Sequence, residues 1–176
     1  ADEDVPAGDI GVGAREIGYM FGQYKRLNAK TPGVLTGKPI PAGGSQGRTE
    51  ATGYGLIYFL LEMLKEVNES LAGKRIIISG SGNVAYYAAK KATELGGTVV
   101  SLSDSDGAIY VENGIDLDII KNIKIDNRGR IKEYKDAHPE AEFFAGSLWD
   151  HDIEADIALP CATQNEIDVS QAQRLV

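Results

Sequence analysis

The chain has 176 residues, 43% of them hydrophobic and 25% charged, a composition typical of a globular protein that buries one good core. Its 26 acidic and 18 basic residues give a net charge of −8, which argues against nucleic-acid binding because a phosphate backbone requires a basic surface. The longest apolar stretch, residues 56–61, is far shorter than the roughly 20 residues of a membrane helix, so we expect no membrane association.

The few sulfur and imidazole side chains indicate neither a disulfide nor a metal site. A single cysteine, Cys161, cannot form an internal disulfide, which is compatible with a reducing compartment, and we expect a cytoplasmic protein. Cys161, His138 and His151 lack the spacing of metal ligands. We interpret Cys161 as a structural thiol and Trp149 as a packing residue, because no histidine is placed to activate the thiol.

The N-terminal third contains two predicted helices separated by a loop. Apolar residues at helical spacing predict an amphipathic helix over residues 14–29. The stripe on that helix consists of Ile17, Met20, Phe21, Tyr24 and Leu27. Residues 33–47 form a loop rich in Gly and Pro, and its length suggests a functional role.

The second helix is the longest apolar helix of the chain and is predicted over residues 50–67, with Ser45 or Thr49 as its N-cap. Gly53 and Gly55 lie in its first turns. A glycine inside a helix costs about 1 kcal/mol relative to alanine. We therefore expect another backbone or a ligand to approach the helix closely at these positions.

A strand–turn–helix–strand segment over residues 75–104 has the layout of a dinucleotide-binding unit. The turn consists of Gly80, Ser81, Gly82, Asn83 and Val84. In such a unit the first glycine permits the tight turn, the second lets the backbone approach a pyrophosphate, and a small residue, here Ala85, allows helix and strand to pack. The helix N-terminus then favours the negative charge of the phosphates. A tight turn in an unrelated α/β protein is the alternative.

The remaining sequence alternates strands and helices. Short strands are predicted at residues 108–111, 143–144 and 153–159, and helices near residue 116, over residues 134–141 with a break at Pro139, and from about residue 168. This order predicts a Rossmann-like, doubly wound and mostly parallel α/β sheet. Ligands bind such sheets at the carboxyl ends of the strands, so residues 80–83, Asp104 and the loop 162–165 should share one rim.

Four further segments are informative: DVPAGDIGVGAREIG (4–18), LTGK with GGS (35–45), RTEATGYG (48–55) and ALPCATQNE (158–166). In this order they resemble the hexameric-type glutamate dehydrogenases of the glutamate, leucine, phenylalanine and valine dehydrogenase family. The resemblance implies reversible oxidative deamination of L-glutamate to 2-oxoglutarate and ammonium with a nicotinamide cofactor, in a homohexamer. It also implies that residues 1–50 end a substrate domain and that residues 51–176 are a C-terminally truncated cofactor domain.

The resemblance identifies Asp9 with the catalytic aspartate that exchanges a proton with the amino or imino nitrogen of the substrate. A carboxylate suits this task because an iminium cation forms as hydride leaves Cα. Without the resemblance, Asp9 would be interpreted as a cap of the following helix. Gly8 resembles a position whose backbone contacts the substrate. The lysines that bind and activate glutamate would lie before residue 1, so we expect the isolated chain to bind cofactor at best.

Further cofactor contacts follow from the resemblance. Thr52 and Asn83 resemble the pair that hydrogen-bonds the nicotinamide end, and Arg48 is a candidate for a cofactor or cleft contact. A surface salt bridge is the alternative for Arg48. Ala162 and Asn165 resemble residues on the opposite side of the cofactor groove, and Asn165 could instead cap the last helix.

The choice between the two cofactors depends on residues 103–105. By position, Asp104 predicts NAD, since a carboxylate accepts from a free ribose 2′-hydroxyl and repels a 2′-phosphate. The segment Ser103-Asp104-Ser105 nevertheless resembles NADP-specific members, in which hydroxyls and a basic residue, here Lys124, would hold the phosphate. We favour NADP and keep NAD as the alternative.

Two other functions compete with glutamate dehydrogenase. The leucine, valine and phenylalanine dehydrogenases share the general plan, so the substrate could be another amino acid. A dinucleotide-binding module that has lost its chemistry is the second alternative.

Overall fold

The computed structural model describes residues 6–28 and 33–176 and divides into two compact units, Ala1–Ala51 and Thr52–Val176. This division lies one residue from the predicted boundary, and the substrate and cofactor roles of the two parts stay predictions. Over the described residues, no helix combines the length and apolar character needed to cross a membrane.

The helices and strands follow the predicted order along the chain. The α-helices are α1 (Ala14–Asn28), α2 (Arg48–Glu66), α3 (Asn83–Glu94), α4 (Leu117–Ile120), α5 (Tyr134–Ala137) and α6 (Val169–Arg174). The strands are β1 (Arg75–Ile78), β2 (Thr98–Asp104), β3 (Gly107–Tyr110), β4 (Glu142–Ala145) and β5 (Ile157–Leu159). Short 3₁₀ helices span Ile40–Ala42, Ile131–Glu133 and Leu148–Asp150, and a π-helix, Lys121–Asp126, continues α4.

The first unit has a small core. Its buried hydrophobic residues are Ile17, Phe21, Val34 and Leu35. The predicted stripe on α1 is therefore narrower than expected: Tyr24 packs only partly against this core, and Met20 and Leu27 are exposed. The core of this unit is small, so Ile17 and Phe21, one helical turn apart, are enough to cover it. Ala29, the last residue of the predicted helix, lies outside the described residues.

The second unit is built on a five-stranded sheet of order β4-β3-β2-β1-β5. β1 pairs in parallel with β2 and with β5, whereas β3 pairs antiparallel with both β2 and β4. Only β3 therefore runs against the other four strands. The predicted mostly parallel α/β sheet is confirmed.

Alternate residues of β1 pack on opposite faces of the sheet. Ile76 and Ile78 belong to the large core that α2 and α3 cover, while Ile77 belongs to a smaller cluster with Leu148 and Trp149. The predicted packing role of Trp149 is confirmed, since 3% of its surface is exposed. Strands of a parallel sheet are buried on both faces, which explains the uninterrupted run of isoleucines.

The two glycines of α2 differ. A Cβ built on Gly53 would lie 2.6 Å from the Ala88 backbone nitrogen and 2.7 Å from the Val84 carbonyl oxygen, so α2 and α3 approach each other closely there. The predicted close approach is confirmed for Gly53. Among the described residues, no backbone approaches Gly55, because a Cβ at that position meets no atom within 4 Å, and the approach of a ligand there stays a prediction.

Several predicted ends are displaced. α2 begins at Arg48, directly after Gly47, so Thr49 lies inside the helix and is not its cap. The strand predicted from residue 153 begins only at Ile157, because its partner β1 has just four residues to pair with. α5 ends at Ala137, ahead of Pro139, whose ring disfavours helical backbone in the preceding residue.

Candidate functional site

The carboxyl ends of β1, β2 and β5 meet at one rim of the second unit. The Ser103 backbone nitrogen, near the end of β2, donates to the Gly80 carbonyl oxygen over 3.2 Å. A Cβ built on Gly80 would lie 3.2 Å from the Cα atom of Ala162, in the loop after β5. The structure therefore brings together the glycine turn, the end of β2 and the start of the loop 162–165, as expected.

The turn leaves the first amides of α3 open. Gly80 adopts a φ of +81°, a left-handed conformation that favours glycine, and lets the chain leave β1 sharply. Gly82 is the N-cap of α3, and no side chain of the described residues makes a capping hydrogen bond there. A Cβ on Gly82 would meet no described atom within 4 Å, whereas Ala85 is fully buried against the sheet. This geometry suits an anionic group held by backbone N–H groups.

Ser103 has a different role from the predicted one. Its side chain is buried, and its Oγ accepts a hydrogen bond of 2.9 Å from the Gly80 backbone nitrogen. Together with the backbone bond in the opposite direction, this contact fixes the glycine turn to β2. Ser103 therefore shapes the turn, and its hydroxyl does not face a cofactor phosphate as expected.

Asp104 is also engaged within the protein. Oδ2 accepts from Lys124 Nζ and from the Ile131 backbone nitrogen, each over 2.8 Å, and Oδ1 accepts from the Asp106 backbone nitrogen over 2.9 Å. Burial alone would raise the pKa of Asp104, but Lys124 and the backbone donors outweigh it and lower the pKa. Only 9% of the Asp104 side chain is exposed beside these contacts, so the predicted acceptance of a ribose hydroxyl by Asp104 is not supported.

The same contacts remove Lys124 as a candidate phosphate ligand. Its Nζ also donates to the Gly129 carbonyl oxygen over 2.9 Å, and only 15% of its side chain is exposed. Arg130 and Lys132 are exposed cations at this end of β2, and sequence reasoning missed both. Arg130 Nη1 donates to the Ser105 hydroxyl over 2.8 Å. The Asp106 carboxylate forms an ion pair with Arg130 through one oxygen and with Lys132 through the other. Ser105 itself is exposed, as expected for a residue that faces a ligand.

The loop after β5 contains exposed residues, and a hydrogen bond to the buried Ser79 fixes its start. Cys161, which precedes the loop, donates its backbone N–H to the buried Ser79 hydroxyl over 2.8 Å. Ala162 and Asn165 are both exposed, and Asn165 adopts a φ of +56°. The alternative role of Asn165 as a helix cap is wrong. Asp168 caps α6, because its carboxylate accepts from the Gln171 backbone nitrogen over 2.8 Å.

The Cys161 thiol shows no sign of activation. Burial raises its pKa to about 12, and the negative charge of Glu166 acts in the same direction. The thiolate is the nucleophilic form of cysteine, so this thiol is unreactive near neutral pH. The interpretation of Cys161 as a structural residue agrees with this environment.

Thr52 and Asn83 lie beside the point where α2 and α3 meet. Thr52 precedes Gly53, the glycine that contacts the backbone of α3, and Asn83 precedes Val84, one of the residues that Gly53 touches. Both side chains are exposed. The close packing of Gly53 therefore fixes their spacing, and their contact with a nicotinamide stays a prediction.

Gly8 and Asp9 belong to the first unit, and Asp4 and Val5 of the same motif lie outside the described residues. The Asp9 carbonyl oxygen accepts from the Val12 backbone nitrogen over 2.9 Å, which closes a turn, and the Asp9 side chain is exposed. A Cβ on Gly8 would lie 2.3 Å from the Val12 side chain, so a larger residue at this position would require Val12 to move.

The capping alternative for Asp9 finds no support. Glu16 supplies the carboxylate at the start of α1, where its Oε2 accepts from the Gly13 backbone nitrogen over 3.0 Å. Backbone hydrogen bonds, with Gly13 first, lower the pKa of Glu16 to about 2. Within residues 6–28 and 33–176, no N–H group at the start of α1 donates to the Asp9 carboxylate.

The long loop of the first unit is folded around a lysine. Lys38 Nζ donates to the Val34 and Leu35 carbonyl oxygens over 2.5 and 2.8 Å. Arg48, at the first position of α2, lines a shallow groove of about 250 Å³ in this unit together with Lys38. The part of the chain that the structure describes contains no group of three His, Cys, Asp or Glu side chains placed to hold a metal ion.

Comparisons with known proteins agree with the resemblance. A profile described as glutamate/leucine/phenylalanine/valine dehydrogenase matches residues 43–176. The NAD(P)-specific glutamate dehydrogenase of Xylanibacter ruminicola is 53% identical over 99% of this chain and 40% of its own length. The NADP-specific glutamate dehydrogenase of Giardia intestinalis is 49% identical over 100% of this chain and 40% of its own.

A solved structure, that of Plasmodium falciparum glutamate dehydrogenase, superposes with a TM-score of 0.88. It is 47% identical, and the match covers 98% of this chain and 37% of that one. The chain thus spans about 40% of the length of the curated relatives that it matches.

Proposed function

Because this chain belongs to the glutamate, leucine, phenylalanine and valine dehydrogenase family, we propose that it is the cofactor-binding part of a glutamate dehydrogenase and carries the catalytic aspartate. The reaction is the reversible oxidative deamination of L-glutamate to 2-oxoglutarate and ammonium. The observation that carries the proposal is the open N-terminus of α3, where Gly82 is the N-cap and makes no side-chain capping hydrogen bond.

The backbone of α3 performs the binding step. The first N–H groups of a helix have no partner within the helix, and they hold a pyrophosphate with the help of the helix dipole. Gly82 leaves space for that group, and Gly80 gives the turn its direction. When bound, the nicotinamide supplies the acceptor for the hydride that leaves the Cα atom of glutamate.

Asp9 is proposed to exchange the proton of the substrate nitrogen. The amino group must lose a proton before hydride leaves Cα, and a nearby carboxylate both takes that proton and stabilises the cation that forms. Its exposed carboxylate makes no hydrogen bond with a described donor, so it is available for such an exchange. This role rests on the resemblance of residues 4–18.

A pair of glycine variants tests the binding step. Gly82→Ala has no neighbour to strike and no positive φ, so we expect the free energy of unfolding to change by less than about 1 kcal/mol. The same methyl group stands where the pyrophosphate must approach, and the NADPH dissociation constant should rise at least about tenfold. Gly80→Ala is the contrasting variant, because its φ of +81° should cost about 1–2 kcal/mol of stability. Unchanged NADPH binding by a folded Gly82→Ala protein would contradict the proposal.

We propose NADP as the preferred cofactor. Asp104 is paired with Lys124 and cannot repel a 2′-phosphate as a free carboxylate would, while the exposed Ser105 hydroxyl and Arg130 guanidinium stand side by side. A guanidinium can bind two phosphate oxygens at once. Arg130→Ala should weaken NADPH binding about tenfold and leave NADH binding unchanged. A preference of the unaltered protein for NADH by more than about tenfold would overturn this choice.

Three finer proposals rest on the resemblance alone. We propose glutamate as the amino acid, a homohexameric assembly and a cytoplasmic location. A panel of amino acid substrates, light scattering and cell fractionation test them in turn. Faster turnover of leucine, valine or phenylalanine than of glutamate would contradict glutamate as the substrate.

A further inference from the structure

The side chain of Glu166 hydrogen-bonds the start of the exposed loop 162–165. The Ala162 backbone nitrogen donates to Glu166 Oε1 over 3.1 Å, so this side chain closes the loop on itself. The loop also abuts the glycine turn, since a Cβ on Gly80 would lie 3.1 Å from the Cys161 carbonyl oxygen. A shift of the loop would therefore change the width of the space beside the turn.

The second oxygen of Glu166 is anchored in the core. Oε2 accepts from Trp149 Nε1 over 2.9 Å. Trp149 is buried and packs against the face of the sheet that contains Ile77 and Val100. Glu166 therefore connects an exposed backbone N–H group to a buried indole, one oxygen for each donor.

Trp149 is itself fixed in place. The guanidinium of Arg174 donates to the Trp149 carbonyl oxygen over 2.5 Å, and the Gln171 amide donates to Asp150 Oδ1 over 2.8 Å. Both partners lie on α6, whose first turn is closed by the Asp168 cap. The indole is thus a rigid reference point from which Glu166 can set the position of the loop.

We propose that Glu166 is a positioning residue that sets the loop 162–165 for the dinucleotide by joining the Ala162 N–H group to the Trp149 indole. The inference rests on the proposed function, because Ala162 and Asn165 matter only if a dinucleotide lies against them. It also specifies the chemistry that is needed. Both donors are N–H groups, so the residue must offer two acceptors, which a carboxylate does and an amide does not.

Four proteins test this arrangement: Glu166→Gln, Trp149→Phe, the double variant and the unaltered chain. In Glu166→Gln the side-chain NH₂ group must face one of the two N–H donors, so the NADPH dissociation constant should rise about fivefold. Trp149→Phe removes the indole donor and should weaken binding about twofold. In the double variant the amide oxygen can accept from Ala162 while its NH₂ group has no donor opposite it. Its dissociation constant should stay within about twofold of that of Trp149→Phe.

The matched control is Glu62→Gln, which removes the same charge from an exposed ion pair with Lys65. Calorimetry with NADPH gives all dissociation constants, and the control should bind as the unaltered chain does. Trp149 is the only tryptophan, so its fluorescence emission reports the indole hydrogen bond directly. Emission should shift in Glu166→Gln and stay unchanged in Glu62→Gln.

The outcomes separate the two proposals. No NADPH binding by the unaltered chain would end the proposed function and this inference with it. Binding by the unaltered chain with an equal dissociation constant for Glu166→Gln would overturn the inference alone, as would a double variant that binds about fivefold more weakly than Trp149→Phe. If Glu166→Gln does not fold, equal NADPH binding by Trp149→Phe and the unaltered chain would overturn the inference instead.

Discussion

Replacing Gly53 by alanine should destabilise the protein, although alanine is the better helix former. The added methyl group gains about 1 kcal/mol of helix propensity. It would also lie 2.6 Å from the Ala88 nitrogen and 2.7 Å from the Val84 carbonyl oxygen, and both atoms belong to backbone that cannot rotate away. Overpacking of this kind costs up to about 3 kcal/mol. We expect a net loss of about 2 kcal/mol in the free energy of unfolding.

Gly55→Ala is the matched control on the same helix. A methyl group there meets no atom of residues 6–28 and 33–176 within 4 Å, so only helix propensity acts and the free energy of unfolding should rise by up to about 1 kcal/mol. Urea denaturation at equilibrium measures both variants. In Gly53→Ala the displaced helices should also move Thr52 relative to Asn83 and weaken NADPH binding. A change of the same sign and size in both variants would refute the assignment of Gly53 to backbone packing.

Two further variants probe buried polar groups. Lys124→Met leaves the Asp104 carboxylate without its cation and should cost about 3 kcal/mol at pH 7, whereas Lys121→Met, which breaks an exposed pair, should cost less than about 1 kcal/mol. The pKa of Asp104 is lower in the folded chain than its ordinary 3.8, so this ion pair stabilises the fold above that pH and its contribution is lost as the pH falls further. The cost of Lys124→Met, measured in urea, should therefore shrink near pH 3, and a constant cost would contradict the pairing. Ser101→Ala removes a buried hydroxyl that has no hydrogen-bond partner among the described residues and should stabilise by about 1 kcal/mol, and a measured loss would show that the hydroxyl is satisfied.

Local patterns predicted the sheet and the glycine turn because the physics involved is itself local. The isoleucines of β1 require burial on both faces, and Gly80 and Gly82 supply a turn that few other residues permit. The cap of α6 can be predicted in the same way, since an acidic residue such as Asp168 ahead of a helical segment commonly caps it.

The roles of side chains at the rim could not be predicted, because they depend on partners far away in sequence. Asp104 occupies the expected position but is neutralised by Lys124, twenty residues later, and by the Ile131 backbone. Ser103 lies in a segment expected to face the phosphate, yet its hydroxyl is turned onto Gly80. Position along a strand predicts which rim a residue reaches, and only the tertiary contacts decide whether its side chain is free.

The same limit applies to Arg130 and Glu166. Arg130 lies in a polar stretch with no periodic pattern, and only the fold brings it to Ser105. Glu166 ends the segment ALPCATQNE, but its hydrogen bond with Trp149 joins two segments that share no local sequence pattern. A single basic or acidic residue in a loop carries too little information to be assigned from sequence alone.

The central proposal is that the pyrophosphate of the dinucleotide binds at the start of α3, and an NMR titration tests it most directly. Titration of the ¹⁵N-labelled chain with NADPH should shift the backbone amide signals of Gly80, Ser81, Gly82, Asn83 and Val84 more than any others in the second unit. Gly82, Asn83 and Val84 supply the N–H groups at the start of α3, and Gly80 and Ser81 form the turn that leads into them. Saturable NADPH binding that leaves those five signals unmoved would contradict the central claim, as would the absence of any binding.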